Sequence, residues 1–350
     1  MFNNQLYQTP YHGVDLSKYS FLVTGGAGFV GSNLVEYLLK YKAGHVRVLD
    51  NLSNGYFENI KDFTKLSNFE FIEGDIRDLN TCKKVFDGIN FVFHQAALGS
   101  VPRSIADPIT SNDVNVSGFL NMLIAAKDSK SLLQMVYAAS SSTYGDSATL
   151  PKIEGNEGNP LSPYAVTKLV NELYADVFSR IYGLNTIGLR YFNIFGPKQN
   201  PSNPYAAVIP IFCKNYIDGT KLVINGDGST SRDFTFVENA VQANIRAALW
   251  GSNIIKSNKA TTLTKHEIFN VACGDQISLN QIVTLLNEIS GIDIEVEHQA
   301  ERIGDVKHSM ASIQKLNLHC GYNPEIKFVD GLDLTFKYLK KTHERKKNNC

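Results

Sequence analysis

The segment YSFLVTGGAGFVGSNLVEYLLKY, residues 19–41, constrains this chain more than any other. An apolar run of the kind that fills a strand buried on both faces ends in a glycine-rich turn, and a helical pattern begins with no spacer. Strand, tight turn and helix in that order form the opening unit of a parallel sheet whose first turn receives phosphate. Gly25 suits the tight turn, Gly28 lets backbone approach a phosphate, and Gly31 lets the helix lie close to the strand. The helix N-terminus can then take a pyrophosphate. The spacing is G-x-x-G-x-x-G rather than G-x-G-x-x-G, so the string alone reads equally as a glycine-rich turn.

The next strand bears on which dinucleotide would bind. HVRVLD closes on Asp50, at the place where a second parallel strand meets the ribose. A carboxylate there accepts hydrogen bonds from free ribose hydroxyls and repels a 2′-phosphate, which favours NAD over NADP. Alternation turns Arg47 the other way, toward solvent. Asn51, Ser53 and Gly55 follow in a polar loop suited to cofactor contacts. Asp75, ending FEFIEGD, stands where adenine or its neighbouring backbone can be met, or it caps a loop. INFVFHQA ends in Ala96 and Ala97, small enough to admit a nicotinamide or to fill core. His94 is assigned to packing and Asn115 to satisfying buried backbone groups.

Strand-like LLQMVYAAS and LNTIGLRYF continue the alternation, with helices near 78–86, 107–128 and 163–182. The expected fold class is α/β, a Rossmann-type doubly wound parallel sheet with right-handed crossovers and a smaller C-terminal substrate-binding subdomain. After Gly196 the turn-rich PKQNPSNPYAAV interrupts the order, and helices near 209–219, 237–250 and 279–289 and the strand EIFNVAC follow. The expected divisions are an N-terminal extension at 1–18, a mainly NAD-binding domain at 19–196, a mainly substrate-binding region at 197–340, and a tail at 341–350.

With 350 residues, 43% of them hydrophobic, the chain can bury a large core. Its 34 basic and 34 acidic residues cancel, which argues against a broad nucleic-acid surface and leaves KKTHERKK as a solvated tail. No N-terminal signal peptide is read, and no run approaches the roughly 20 apolar residues of a membrane helix. Cysteines at 82, 213, 273, 320 and 350 lack metal-ligand spacing and suggest reduced thiols in a cytoplasmic protein, with no metal expected.

The chemistry is carried by Tyr164 and Lys168 in SPYAVTKLVNELYADVF, four apart and so on one helix face. A tyrosine with a pKa of about 10 is a poor base at neutral pH, and a nearby ammonium favours its phenolate. Lys168 is therefore expected to lower the pKa of Tyr164, which can then take a hydroxyl proton as hydride leaves the same carbon. Ser140, Ser141 and Ser142 follow LLQMVYAA at the carboxyl edge of the sheet, where open α/β folds bind ligands. The G-x-S-x-G elbow of serine hydrolases is absent, and the inferred partner of these serines is Tyr164.

Taken together, residues 18–340 resemble the extended short-chain dehydrogenase/reductase superfamily, specifically its nucleotide-sugar 4-epimerases, and most of all those acting on UDP-N-acetylhexosamines. AASSSTYG, YAVTK, RYFNIFGP, SRDF and RIGDVKHS carry the resemblance beyond the glycine turn. It implies Ser140, Tyr164 and Lys168 as catalytic residues, and Phe29, Val30 and Ile76 as further cofactor contacts. It also implies Gly99, Ser100, Arg103, Ser140, Ser141, Ser142, Asn193, Val208, Asn225, Arg232, Arg302, Asp305 and Ser309 as substrate contacts. Ser309 occupies a position where restrictive hexose epimerases carry tyrosine, which implies room for a 2-N-acetyl group. Ser312 departs from the aspartate usual just after this segment. Related 4,6-dehydratases place Asp and Glu after the active-site Thr, and Ser140-Ser141-Ser142-Thr143 lacks that acid.

The resemblance therefore implies reversible C4 epimerisation of UDP-GlcNAc and UDP-GalNAc through a 4-keto sugar with tightly bound NAD, extending to UDP-Glc and UDP-Gal. It also implies a homodimer built on helices 107–128 and 163–182, with Leu169, Leu173 and Val177 as outer positions. Three alternatives stay open: UDP-N-acetylhexosaminuronic acids as substrate, a net NAD-dependent dehydrogenase, and a silent nucleotide-sugar-binding protein.

Overall fold

Strand β1 (Ser20–Thr24) is buried on both faces, and its side chains alternate between two apolar layers. Phe21 and Val23 enter one cluster and Leu22 the other. A strand of this kind needs helices on both sides, which a parallel sheet provides. In the computed structural model, which describes residues 5–203, 205–252, 265–300 and 307–348, β1 is an interior strand of a seven-stranded sheet. Around it lie β2 (His45–Asp50), β3 (Phe69–Glu73), β4 (Phe91–His94), β5 (Gln134–Ser140) and β6 (Thr186–Tyr191). Short β7 (Ile194–Phe195), β8 (Leu222–Asn225), β9 (Ser231–Arg232) and β10 (Thr235–Phe236) lie outside the sheet, and β11 (His266–Val271) completes it.

The sheet order is β11-β6-β5-β4-β1-β2-β3, and every pairing in it is parallel. This is the doubly wound order extended by one strand. The order reverses between β1 and β4, where Val23 pairs with Phe93, so a crevice opens beyond the carboxyl ends of these two strands.

Helices α1 (Phe29–Lys40), α2 (Leu79–Val85), α3 (Val101–Ala106), α4 (Pro108–Asn112), α5 (Phe119–Asp128) and α6 (Pro163–Tyr182) belong to the first half. The helix expected over 107–128 is broken by a π-helical segment, Asp113–Gly118. Within it Asn115 pairs with both polar groups of the Leu98 backbone, at 2.7 and 3.0 Å, and so fixes the chain just past Ala96 and Ala97. Helix α6 has sharp ends: the Ser162 hydroxyl accepts the Ala165 amide at 3.2 Å, Pro163 opens the first turn, and Gly183 closes it at φ 71°.

Helices α7 (Val208–Asp218), α8 (Val237–Gly251) and α9 (Leu279–Ser290), strands β12 (Ile277–Ser278) and β13 (Val296–Gln299), and helices α10 (Gln314–Cys320) and α11 (Phe328–Asn348) make up the rest. Among the described residues no helix is long and apolar enough to cross a membrane.

Residues 5–18, read from sequence as an extension, are anchored in the core by four side chains. Leu6, Tyr7, Tyr11 and Leu16 are all buried. Glu238 of α8 accepts the Tyr7 amide at 2.8 Å and the Tyr11 hydroxyl at 2.6 Å, and the Tyr7 hydroxyl donates to Asn33 of α1 at 2.9 Å. Arg47 is also not solvated as expected. Its Nε meets Glu70 at 2.7 Å and its Nη1 the carbonyls of Val85 and Asp87 at 2.9 Å.

Candidate active site

The crevice at the switch point begins with Gly25, at φ 66°, where a Cβ would lie 2.7 Å from the Ala96 amide nitrogen. A Cβ on Gly31 would overlap the Gly25 carbonyl oxygen, so the turn and α1 can be this close only with glycine at both positions. No side chain caps α1 at Gly28. Its N-terminus therefore offers amide hydrogens and a positive dipole end to an anion. At the tip of β2 the Asp50 carboxylate accepts the Ala27 and Leu52 amides at 2.9 and 2.8 Å. Burial pushes its pKa up, with these amides pulling back. Close backbone approach, an open helix N-terminus and a buried carboxylate at the ribose position fit a dinucleotide without a 2′-phosphate.

One continuous cleft is lined by Gly25, Gly28, Phe29, Val30, Gly31, Asp50, Asn51, Ser53, Gly55, Asp75, Ile76, Ala96 and Ala97, and by Tyr164 and Lys168 at its inner end. Asp75 is held by Arg77 at 2.8 Å and by the Asn51 amide at 2.7 Å, and the hydrogen bonds from Arg77 keep its pKa down at about 2. His94 lies beneath the cleft, its Nδ1 2.7 Å from the Thr24 hydroxyl, and burial with the nearby Lys168 charge depresses its pKa to about 3. It is neutral at pH 7.

Lys168 is buried and donates to the Ala138 carbonyl at 2.7 Å. Desolvation lowers its pKa to about 8, opposed by Glu172 one turn along α6. Tyr164 is half-buried, with its backbone amide on the Ser104 hydroxyl at 3.0 Å. The expected electrostatic lowering of its pKa by Lys168 does not appear. Burial raises it, and only the adjacent Ser140 hydroxyl pulls the other way. Desolvation wins because both side chains leave water together, a cost that spacing on a helix does not reveal. Ser140 also lines the cleft, and its oxygen accepts the Ser142 amide and hydroxyl at 3.1 and 2.9 Å. Ser141 and Ser142 are half-buried and line neither this cleft nor the second cavity, which contains Asn193 and Arg232.

The residues assigned to substrate divide in two. Gly99, Ser100 and Arg103 line the cofactor cleft; Arg103 donates to Asn54 at 3.1 Å and lies 5.0 Å over the Tyr205 ring. Asn193, Val208, Asn225 and Arg232 line a second cavity, and Ala206 and Ala207 belong to both. Arg232 donates to the carbonyls of Ser231 and Lys307 at 3.0 and 3.1 Å. Ser309 is not brought into either cavity; its amide donates to Ser231 at 3.2 Å. Arg302 and Asp305 lie outside the described residues.

Sequence reasoning passed over Gln95 and Tyr191, which also line the cleft. The Tyr191 hydroxyl donates to Gln95 at 3.0 Å and accepts from Asn244 at 2.8 Å. Their signal was available, since both stand at carboxyl ends of parallel strands, where ligands sit. Lys198, Asn200 and Tyr205, in the turn-rich connection, line the cleft as well and had no such signal.

A doubly wound sheet with this crevice and a tyrosine-lysine pair at its inner end defines a dinucleotide-dependent enzyme of the short-chain dehydrogenase/reductase type. The pattern of the NAD dependent epimerase/dehydratase family matches residues 21–272, and the chain belongs to that family. It is 36% identical to a solved UDP-N-acetylglucosamine 4-epimerase from Methanobrevibacter ruminantium in complex with UDP-N-acetylmuramic acid, covering 93% of this chain and 99% of that one with a TM-score of 0.84. A UDP-glucuronic acid 4-epimerase from Bacillus cereus, solved with UDP-glucuronic acid and NAD, is 30% identical with a TM-score of 0.82, covering 92% and 99%. A putative UDP-glucose 4-epimerase from Methanocaldococcus jannaschii is 33% identical over 321 residues, 91% of this chain and 98% of that protein. The enzyme is thus NAD-dependent.

Proposed function

We propose that the protein interconverts UDP-sugars epimeric at C4, with UDP-GlcNAc and UDP-GalNAc as substrates and UDP-Glc and UDP-Gal as further ones. The observation that carries this reading is the convergence of Ser140, Tyr164 and Lys168 at the inner end of a cleft that meets a second cavity at Ala206 and Ala207. The relatives named for UDP-sugar 4-epimerases support the reaction class.

NAD+ supplies a hydride acceptor that returns the hydride in the same cycle. The positive charge of NAD+ bound there would offset the desolvation that raises the Tyr164 pKa, and Tyr164 would take the proton from the 4-hydroxyl while the C4–H bond breaks, leaving a 4-keto sugar. Ser140 donates a hydrogen bond to the reacting oxygen and Lys168 keeps positive charge beside the phenol. Once the sugar had turned its other face, Tyr164 would give the proton back to the 4-oxygen as the carbonyl is reduced. The second cavity keeps the nucleotide held while the sugar turns, with Arg232 at the phosphates.

The preference for acetylated sugars rests on the resemblance, which sets Ser309 where restrictive epimerases carry tyrosine; Ser309 itself lines neither cavity and stands behind Ser231, next to Arg232 of the second one. A second reading, UDP-N-acetylhexosaminuronic acids, is favoured by Arg103: its described partners, Asn54 and the Tyr205 ring, are neutral, leaving its charge available to a C6 carboxylate. The deciding experiment is turnover of each sugar without added NAD, with chromatography that resolves C4 epimers. Failure with acetylated sugars but turnover of their uronic forms reverses the preference, and release of a keto sugar with NADH makes the enzyme a net dehydrogenase.

The working unit is a homodimer. On one side of the molecule Ile105, Ile109, Leu173 and Ile181 are 59 to 82% exposed, an apolar face shared by α3, α4 and α6. Val177 belongs to that face, whereas Leu169 is half-buried.

A further inference from the structure

Arg190 takes no part in the chemistry of Ser140, Tyr164 and Lys168, yet it contacts both the helix that carries the last two and the turn that follows the first. It stands near the end of β6, paired with Ala139, beside the pairing of Tyr191 with Ser140. The side chain is buried. Its Nε and Nη2 donate to the two oxygens of Glu172 at 2.9 and 2.7 Å, and Glu172 lies on α6 one turn beyond Lys168. Its Nη1 pairs with Glu157. The guanidinium lies 4.9 Å over the ring of Tyr144, the last residue of the short turn Ser141–Tyr144 that Ser140 caps. Tyr144 is anchored in turn, its hydroxyl donating to Asn270 at 2.8 Å.

We propose that Arg190 is a positioning residue, fixing the helix that carries Tyr164 and Lys168 to the turn that carries Ser140. A buried ion pair is weak evidence for stability, since its desolvation cost rivals its attraction. Its planar fork, however, fixes direction: two parallel hydrogen bonds set the approach of α6, and the stacked ring sets the approach of the turn. Any sliding of α6 along β5 changes the separation of the Ser140 and Tyr164 oxygens, and a misplacement of about 1 Å at reacting groups can cost about 100-fold in rate. The inference rests on the reading that Tyr164 moves the proton.

The test is Arg190→Lys, which keeps the charge and loses the fork and the stacking. The expected result is a kcat lowered about tenfold or more, a KM within about twofold of wild type and unchanged NAD content, since ligand-binding surfaces stay in place. Arg180→Ala, on the exposed side of α6 and paired to Asp176, is the control and keeps wild-type kcat. Wild-type kcat in folded, NAD-loaded Arg190→Lys overturns the positioning role, as does a loss of activity matched by an equal loss of NAD. If Arg190→Lys does not fold, Tyr144→Leu removes the stacked ring while keeping the pair with Glu172; it is expected to show the same fall in kcat, and wild-type kcat there overturns the proposal. Tyr164→Phe, measured in parallel, separates the two readings. Activity in that variant removes the proton-transfer reading itself, whereas its inactivity beside a fully active Arg190→Lys removes only the role of Arg190.

Discussion

Tyr164 and Lys168 show what a residue-level reading can and cannot reach. Their four-residue spacing places them on one face of a helix, and α6 carries them together. Their proton affinities depend instead on what surrounds them, and burial raises the one and lowers the other. The cost can be measured. Lys168 has a pKa of about 8 in the folded chain against about 10.4 when unfolded, so the unfolded state binds more protons between these values. Stability contributed by this group therefore rises with pH across that window and is at its lowest below pH 8. Lys168→Met, freed of NAD, is expected to be more stable than wild type at pH 7 by up to roughly a few kcal/mol, less about 1 for the lost bond to Ala138. Urea titration should show the difference shrinking from pH 8 to 10; a constant difference means burial does not depress this lysine. Tyr164→Phe should keep its NAD and lose roughly 100-fold or more in kcat. Ser309→Tyr addresses specificity. If the pocket closes on the acetyl arm, overpacking of about 1 to 3 kcal/mol should cut kcat/KM for acetylated sugars relative to UDP-Glc and UDP-Gal by roughly tenfold or more. An unchanged ratio removes Ser309 as the size gate.

At the scale of elements, periodicity made the longer helices readable: α6 runs over the expected 163–182, and α7, α8 and α9 fall within about one residue of their expected ends. The π-helical break at Asp113–Gly118 was not readable, because it arises from a tertiary demand, the pairing of Asn115 with Leu98. Two-residue strands such as β7, β9, β10 and β12 are too short for any alternation to register. The division of the substrate residues between two cavities was equally hidden, since it depends on where Ala206 and Ala207, which line both, come to lie in the fold. The first turn, by contrast, carries its constraint in its composition. Gly31→Ala drives a methyl into the Gly25 carbonyl and should force α1 away from the turn. The purified variant is expected to fold with much of its bound NAD gone; full NAD content after gel filtration would show that the contact yields without consequence.

At the scale of the molecule, residues 5–18 and the apolar face of α3, α4 and α6 concern how the domain is closed and what it meets. Tyr7, read from sequence within an extension, is fully buried, and its hydroxyl, amide and carbonyl bond to Asn33, Glu238 and Tyr41. Nothing in its neighbourhood is periodic, so a pattern search had no means of finding it. The outer face was readable as apolar positions on a helix, but only burial separates Leu173, 59% exposed, from the half-buried Leu169. A helix in a monomer would be expected to turn charge toward water there. Leu173 and Ile181 stand two turns apart on α6, with Ile109 of α4 82% exposed on the same side. Covering this surface with a second copy removes it from water at about 25 cal/mol per Å², whereas a buried glutamate in its midst would be an unpaired charge. Leu173→Glu combined with Ile109→Glu is therefore expected to halve the mass found by light scattering at micromolar concentration, with the circular dichroism of the fold intact. A wild-type protein that is already monomeric across that range, or a double variant that remains dimeric, would show that the face is not the interface.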